Sequence, residues 1–285
     1  MISVVRSSKW CLIALMASIA ICAVIFVLDT RQDDDPDWRE KSLRFSFLVE
    51  NKTTEFLPKT MFKFLVPLEI EGRQGLIGLD SDQSLEIEVQ EGNARYARVL
   101  LREFKPYEKR VVKVDIKVRL AKSPPHSAVP SDEYLSNESY IEASHPLVRS
   151  VVAKEDFVGP QEIYSWVSQR IQKDAYTLLP KGAVWALSRL HGDCTEHMFS
   201  FMALARNRGI PARGAAGLVS RNRVHRVSGS DFHNWAEYYG GDRWRIADTF
   251  SEVFDEHYES YVLLNFYKGE IAPFVQADDG LAVRL

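Results

Sequence analysis

Cys194 stands in the run His191-Gly192-Asp193-Cys194-Thr195-Glu196-His197, where a helical pattern begins. The other two cysteines, Cys11 and Cys22, lie in an apolar N-terminal stretch that cannot reach it. A single thiol placed outside the cytosol has no disulfide partner, so chemistry is the economical reason for keeping it. Thiols attack carbonyl carbon as thiolates, a form favoured at a helix N-terminus or beside an imidazolium. Asp193 and Glu196 have the spacing of a capping box, which places Cys194 at the first helical position. Its backbone N–H then has no acceptor within the helix and can donate to an oxyanion. The same two carboxylates oppose ionisation of the thiol, so a histidine has to outweigh them.

His233 is the candidate. It shares a strand face with Trp235, Glu237 and Tyr239; Gly240-Gly241-Asp242 turns the chain, and Trp244, Ile246 and Asp248 share a face of the returning strand. If Asp248 lies beside His233, the carboxylate fixes the ring and leaves its other nitrogen for the thiol, in the chain order Cys, His, Asp. Periodicity alone does not establish that proximity. His191, Cys194 and His197 also read as H-x2-C-x2-H metal ligands, but no fourth ligand stands out, so neither metal nor cofactor is expected and His197 is read as packing locally. Trp235 and Glu237 are candidates to line a cleft, against the ordinary reading of core residues. Trp185 is a candidate second oxyanion donor through its indole N–H. Asn51-Lys52-Thr53 and Asn137-Glu138-Ser139 match glycosylation acceptors.

The elements that must position these groups fall into blocks. Residues 42–121 alternate with period two: Leu43, Phe45, Phe47 and Val49, then Leu85, Ile87 and Val89, then Val112, Val114, Ile116, Val118 and Leu120. That reads as an antiparallel β-sandwich. Residues 122–138, with Pro124, Pro125 and Pro130, read as a linker. Residues 139–285 read as a further domain that begins with helical periodicity: Pro160 opens a helix showing Ile163, Trp166, Val167 and Ile171, and a second helix runs from about Thr195 to Asn207, stopped by Gly209 and Pro211. Strand patterns return after Val227.

At the N-terminus, Trp10 to Leu28 carry no charge, and roughly 19 residues suffice to cross a bilayer. Arg6 and Lys9 precede this stretch and Asp29, Asp33, Asp34, Asp35 and Asp37 follow it, so residues 1–30 are expected to be a cytoplasmic N-terminus and transmembrane helix, with 31–41 an acidic spacer outside. Hydrophobic content of 46% suffices for buried cores, and a net charge of −3 without a basic block excludes nucleic acid as a partner.

Gly192-Asp193-Cys194, the run Ala205-Arg206-Asn207-Arg208-Gly209-Ile210-Pro211-Ala212-Arg213 with Gly217, His233-Asn234-Trp235-Ala236-Glu237, and Trp244-Arg245-Ile246-Ala247-Asp248-Thr249 together resemble the transglutaminase-like, papain-related superfamily. The resemblance implies a papain-like fold with Cys194 as nucleophile, His233 as base and Asp248 orienting it. The expected fold class is α+β: a transmembrane helix, an antiparallel β-sandwich, then a transglutaminase core of helices on an antiparallel sheet. The expected function is a thiol protease, amidase or acyltransferase working on a protein or peptide substrate through a thioester. It is expected to be a single-pass protein of a bacterial inner membrane, its soluble part periplasmic or extracellular. Two rivals remain: a non-catalytic module binding peptide or envelope polymer in the same cleft, and a sandwich that docks a partner protein.

Overall fold

Period-two alternation becomes strands over the first part of the chain. The computed structural model describes residues 37–89, 94–270 and 272–285. Six strands come first: β1 (Trp38–Asn51), β2 (Leu57–Leu65), β3 (Gln74–Ser81), β4 (Ser84–Val89), β5 (Arg95–Phe104) and β6 (Lys109–Ala121). β1, β6 and β3 lie side by side in one sheet, and β2, β5 and β4 in a second. Leu43, Phe45, Phe47 and Val49 of β1 and Val112 to Leu120 of β6 point inward, alternating with wetter neighbours. They meet Phe62 and Phe64 of β2; the Phe47 ring lies 4.7 Å from Phe64 and 5.2 Å from Phe62 between centroids. These are favourable aromatic spacings for a sandwich core.

The second core is built around one helix. After α1 (Pro146–Glu155) and α2 (Pro160–Arg170) come β7 (Gln172–Lys173), α3 (Ala183–Arg189), β8 (His191–Gly192) and α4 (Cys194–Asn207). Every residue of α4 from Cys194 to Arg206 is buried, as expected of a helix with neighbours on all sides. It packs with Ile163, Val167, Ala186 and Leu187 of the other helices and with Ala212, Ala236 and Ala247 of a sheet. That sheet has the order β13-β12-β11-β9-β14, from β9 (Ala212–Val219), β11 (Phe232–Gly240), β12 (Arg243–Asp248), β13 (Val253–Phe254) and β14 (Tyr261–Phe266), all antiparallel. Small residues on the sheet let the helix approach closely.

Three short late strands return to the sandwich. β10 (Val224–Arg226) runs parallel to Ser42–Arg44 of β1, β16 (Leu281–Arg284) pairs with Leu48–Asn51, and β15 (Val275–Ala277) pairs with β2. Leu218, Val262 and Leu264 join the sandwich core as well. Residues 39–285 accordingly form one compact unit. Between the two cores, the proline-rich stretch is pinned rather than loose: His126 bridges to Arg243, and the Ser127 carbonyl accepts from the Tyr239 hydroxyl at 2.9 Å.

The expected α+β class needs correction. Among the described residues, four α-helices stand against sixteen strands, and the fold is mainly β. The difference comes from β10, β13, β15 and β16, whose two to four residues are too few to show a period. The expected transmembrane helix over Trp10–Leu28 lies outside the described residues, and no helix within them is long and apolar enough to cross a membrane.

Candidate active site

Cys194 opens α4 because the chain before it is locked from both sides. Asp193 Oδ1 accepts the Thr195 N–H at 2.8 Å, while Glu196 Oε2 accepts the Asp193 N–H at 3.3 Å, completing the capping box. Both carboxylates also hold the preceding loop: Asp193 Oδ2 accepts the Thr177 N–H at 2.7 Å, and Glu196 Oε1 accepts the Lys181 N–H at 2.8 Å. Gly192 is required here, since a Cβ on it would lie 2.4 Å from Glu196 Cβ. Burial, followed by the Asp193 charge, pushes the Glu196 carboxyl above the usual carboxylate range, despite the opposing Lys181 N–H.

His233 is the second residue of β11, and Asp248 ends β12. The register pairs Ala236 with Ala247, which makes His233 and Asp248 diagonal neighbours on one face of the hairpin. His233 Nε2 lies 2.7 Å from Asp248 Oδ2. The ring also stands beside the Cys194 thiol, and with Nε2 on Asp248 its Nδ1 is the nitrogen left for sulfur. Burial works against an imidazolium, but the bonds to Asp248 and Cys194 override it and push His233 up to about 10. Asp248 is held below its usual range: burial opposes this, while His233, the Ser251 N–H on Oδ1 at 2.9 Å and the Tyr261 hydroxyl on Oδ2 at 2.8 Å prevail. Cys194, His233 and Asp248 therefore come together.

A pH dependence follows. With a value raised from 6.5 to about 10, the His233 proton stabilises the fold fully below about pH 6.5, and that contribution is lost as pH climbs through 10. The parent should therefore lose its stability advantage over His233→Gln between pH 7 and 10. Urea midpoints at pH 6, 8 and 10 check this; a constant difference contradicts it.

Four contacts lie beyond the sequence reading. Asn234 Nδ2 donates to Thr195 Oγ1 at 2.9 Å, tying the histidine strand to the first turn of α4. Tyr261 and the Ser251 N–H fix Asp248, and the Ser251 hydroxyl lies 3.2 Å from His233 Nε2. The Ser251 N–H on Asp248 is a local turn bond across three residues, while the other three join residues that the tertiary fold alone brings together. Tyr176 lies in the loop held by Asp193, where burial above all, followed by the Asp193 charge, pushes its hydroxyl up.

The remaining candidates are placed otherwise. His191 Nδ1 meets Asp174 Oδ2 at 2.5 Å, and His197 is buried edge-on to Phe250 at 5.2 Å, where burial pushes it down to about 4. Among the described residues no three His, Cys, Asp or Glu side chains are arranged to hold a metal. Trp185 packs edge-on to His191 with the Lys181 ammonium over its ring. Trp235 and Glu237 are buried and belong to the core. Trp235 backs the His233 ring and donates its indole N–H to Glu237 at 3.3 Å.

Glu237 is the anchor between the two cores. Arg73, from the turn before β3, clasps it with both guanidinium nitrogens, and Arg213 of β9 adds two bonds at 2.8 and 2.9 Å. Burial opposes its charge, yet the two arginines hold it down at about 2. Glu237→Gln is expected to cost about 3–5 kcal/mol, because two largely buried guanidiniums lose their counter-charge. A urea titration reads this, and a loss under about 1 kcal/mol contradicts the anchoring role.

A thiol at a helix start, backed by an imidazole and a carboxylate from an adjacent hairpin, defines the class of thiol-enzyme folds. Residues 147–249 match the family model of the transglutaminase-like superfamily, and this segment, which contains all three groups, is a transglutaminase-like domain. No curated protein matches the chain. Among solved structures it is similar to a candidate cysteine protease from Cytophaga hutchinsonii, at 14% identity and a TM-score of 0.59, covering 87% of this chain and 90% of that one. It also matches the periplasmic domain of TgpA from Pseudomonas aeruginosa (16% identity, TM-score 0.34, 73% and 90% covered) and red sea bream transglutaminase (13%, 0.32, 72% and 48%). At these identities the first likeness speaks for the fold, and the other two carry no argument.

Proposed function

We propose that the protein is a thiol enzyme acting on amide bonds of protein or peptide substrates. The observation that carries this is the line from the Cys194 thiol through His233 to Asp248, with the imidazole bonded to the carboxylate and standing beside the thiol. In this reading the thiol proton passes to His233 Nδ1 as sulfur engages the substrate. Sulfur attacks the amide carbonyl, and the developing oxyanion takes the Cys194 backbone N–H at the start of α4. As the tetrahedral intermediate collapses, the C–N bond breaks and the Nδ1 proton passes to the leaving amine, giving a thioester. His233, now neutral, takes a proton from the acceptor as it attacks the thioester, and sulfur leaves as thiolate. Water as acceptor makes a peptidase or amidase; an amine makes an acyltransferase. Asp248, held by Tyr261 and Ser251, keeps the ring oriented throughout.

The test is mass spectrometry of mixed peptides incubated with the protein and an added primary amine. Hydrolysed or amine-coupled product is expected, and neither after Cys194 is alkylated with iodoacetamide. Peptides returned unchanged by the untreated protein sink the enzyme reading and leave a binding module.

A further inference from the structure

A short loop next to the thiol carries three large apolar side chains into solvent. Between β7 and α3 the chain reads Asp174-Ala175-Tyr176-Thr177-Leu178-Leu179-Pro180-Lys181. Tyr176, Leu178 and Leu179 are 67%, 82% and 77% exposed. Exposed apolar residues scattered singly are ordinary, but three within four positions form a patch, and such patches mark a contact with another molecule.

The loop is held at several points along its backbone. The Asp174 N–H donates to the Gly192 carbonyl at 2.9 Å, and the Lys181 N–H to Glu196 Oε1 at 2.8 Å. Between them, the Thr177 N–H and hydroxyl both donate to Asp193 Oδ2, at 2.7 and 3.2 Å. Pro180 disfavours helical backbone at Leu179, so the segment stays a loop. A backbone fixed in this way has little ordering left to lose when something binds its side chains.

The same bonds set the loop against the reacting sulfur. Asp193, which takes both Thr177 bonds, is joined directly to Cys194, and its other oxygen caps α4. Burial first, then the charges of Asp193 and Cys194, push the Tyr176 hydroxyl up, so Tyr176 lies within electrostatic range of the thiol. On the imidazole side, Lys173 pairs with Glu252, and its ammonium lies 5.8 Å from the Phe250 ring, which stands 5.9 Å from the His233 ring. The segment from Lys173 to Thr177 therefore runs from the neighbourhood of the imidazole to the cap of the thiol helix. Direct bonds, with no intervening layer, join it to that cap.

We propose, on the amide-bond reading above, that Tyr176, Leu178 and Leu179 form a lip that selects peptide substrates carrying a large apolar side chain next to the reacting amide. An aliphatic side chain leaves water against Leu178 and Leu179, and the Tyr176 ring adds a flat face with a polar edge. The size of the patch favours this occupant over a second copy of the chain. A stable dimer buries about 800 Å² and roughly 20–30 residues on each partner, far more than three side chains offer.

Isothermal titration of the full chain carrying Cys194→Ala separates binding from turnover. The probes are end-blocked Lys-Leu-Leu-Gln-Leu-Leu-Lys and its Lys-Ser-Ser-Gln-Ser-Ser-Lys counterpart. The leucine peptide is expected to bind at least about tenfold more tightly. Leu178→Ser with Leu179→Ser should reduce that preference to about twofold or less, with the serine peptide and the thermal melt unchanged, since both side chains lie outside the core. Val129→Ser is the control: Val129 is 82% exposed but sits by the far turn of the β11–β12 hairpin, where the Ser127 N–H donates to the Asp242 carbonyl at 2.8 Å. It should keep the preference. No binding of the leucine peptide, equal binding of the two peptides, a preference that survives the double serine change, or one lost equally in Val129→Ser each overturns the proposal. So does self-association in sedimentation, or flotation with phosphatidylethanolamine–phosphatidylglycerol vesicles, that the double change abolishes, since the lip then serves a second copy or a bilayer. The product assay with the parent protein reads the amide-bond reaction separately, so turnover without a leucine preference overturns the lip and leaves the enzyme reading standing.

Discussion

Cys194→Ala is expected to lower turnover by roughly four orders of magnitude or more while leaving the fold in place. The argument has two halves. First, among the described residues the groups bonded to the His233 ring are the Asp248 carboxylate and the Ser251 hydroxyl, both on Nε2 rather than on the thiol's side, and neither replaces the nucleophile. Second, the substitution removes one sulfur at the first turn of a helix whose capping box is made by Asp193 and Glu196, not by Cys194. Ala at that position keeps every bond that starts α4, so the melting temperature should move by no more than a few degrees, about 1 kcal/mol. The pair of measurements is turnover of any substrate found by the product assay and a thermal melt. Turnover persisting above about 1% of the parent removes the thiol from the chemistry. Asp248→Asn should act in the same direction but less severely, since the ring stays in place and loses only the charge that favours the imidazolium.

Gly217→Ala is expected to prevent folding. Gly217 lies in β9, paired with His233 of β11 on one side and Leu263 of β14 on the other. A Cβ built on it would sit 2.0 Å from the Val262 carbonyl oxygen and 3.1 Å from the Trp235 ring. The first contact is with backbone, which cannot rotate away as a side-chain tip can. Relief requires β14 to leave β9, and that removes Tyr261 from Asp248 and uncovers Leu263, which is fully buried. A penalty of more than about 4–5 kcal/mol is a large share of a typical domain's margin of 5–15 kcal/mol. Far-UV circular dichroism and a urea titration decide it: soluble, cooperative protein with parental stability would contradict the close approach. The glycine therefore serves the sheet that carries His233 and makes no contact with a reacting group.

Some of this molecule was readable residue by residue. The start of α4, Pro160 at the head of α2, and the inward faces of β1 and β6 depend on neighbours two to four positions away, so spacing alone reveals them. Cys194 could be singled out for the same reason, because a capping box fixes the place of the residue inside it. His233 and Asp248 were legible as faces of two strands, but their meeting at 2.7 Å depends on the hairpin register. Beyond that range, sequence is silent for a physical reason. Strands as short as β10, β15 and β16 have too little apolar face to be stable alone and acquire structure only from β1 and β2. Helices α1 and α3 are short and weakly patterned, and exist by packing on α4. Glu237 reads as a cleft residue until Arg73, 164 positions away, is brought against it. The same holds for Tyr261 on Asp248. Local chemistry named the groups; burial and long-range pairing decided which of them met around the thiol and which became core, because a side chain's environment is set by whatever the folded chain places against it.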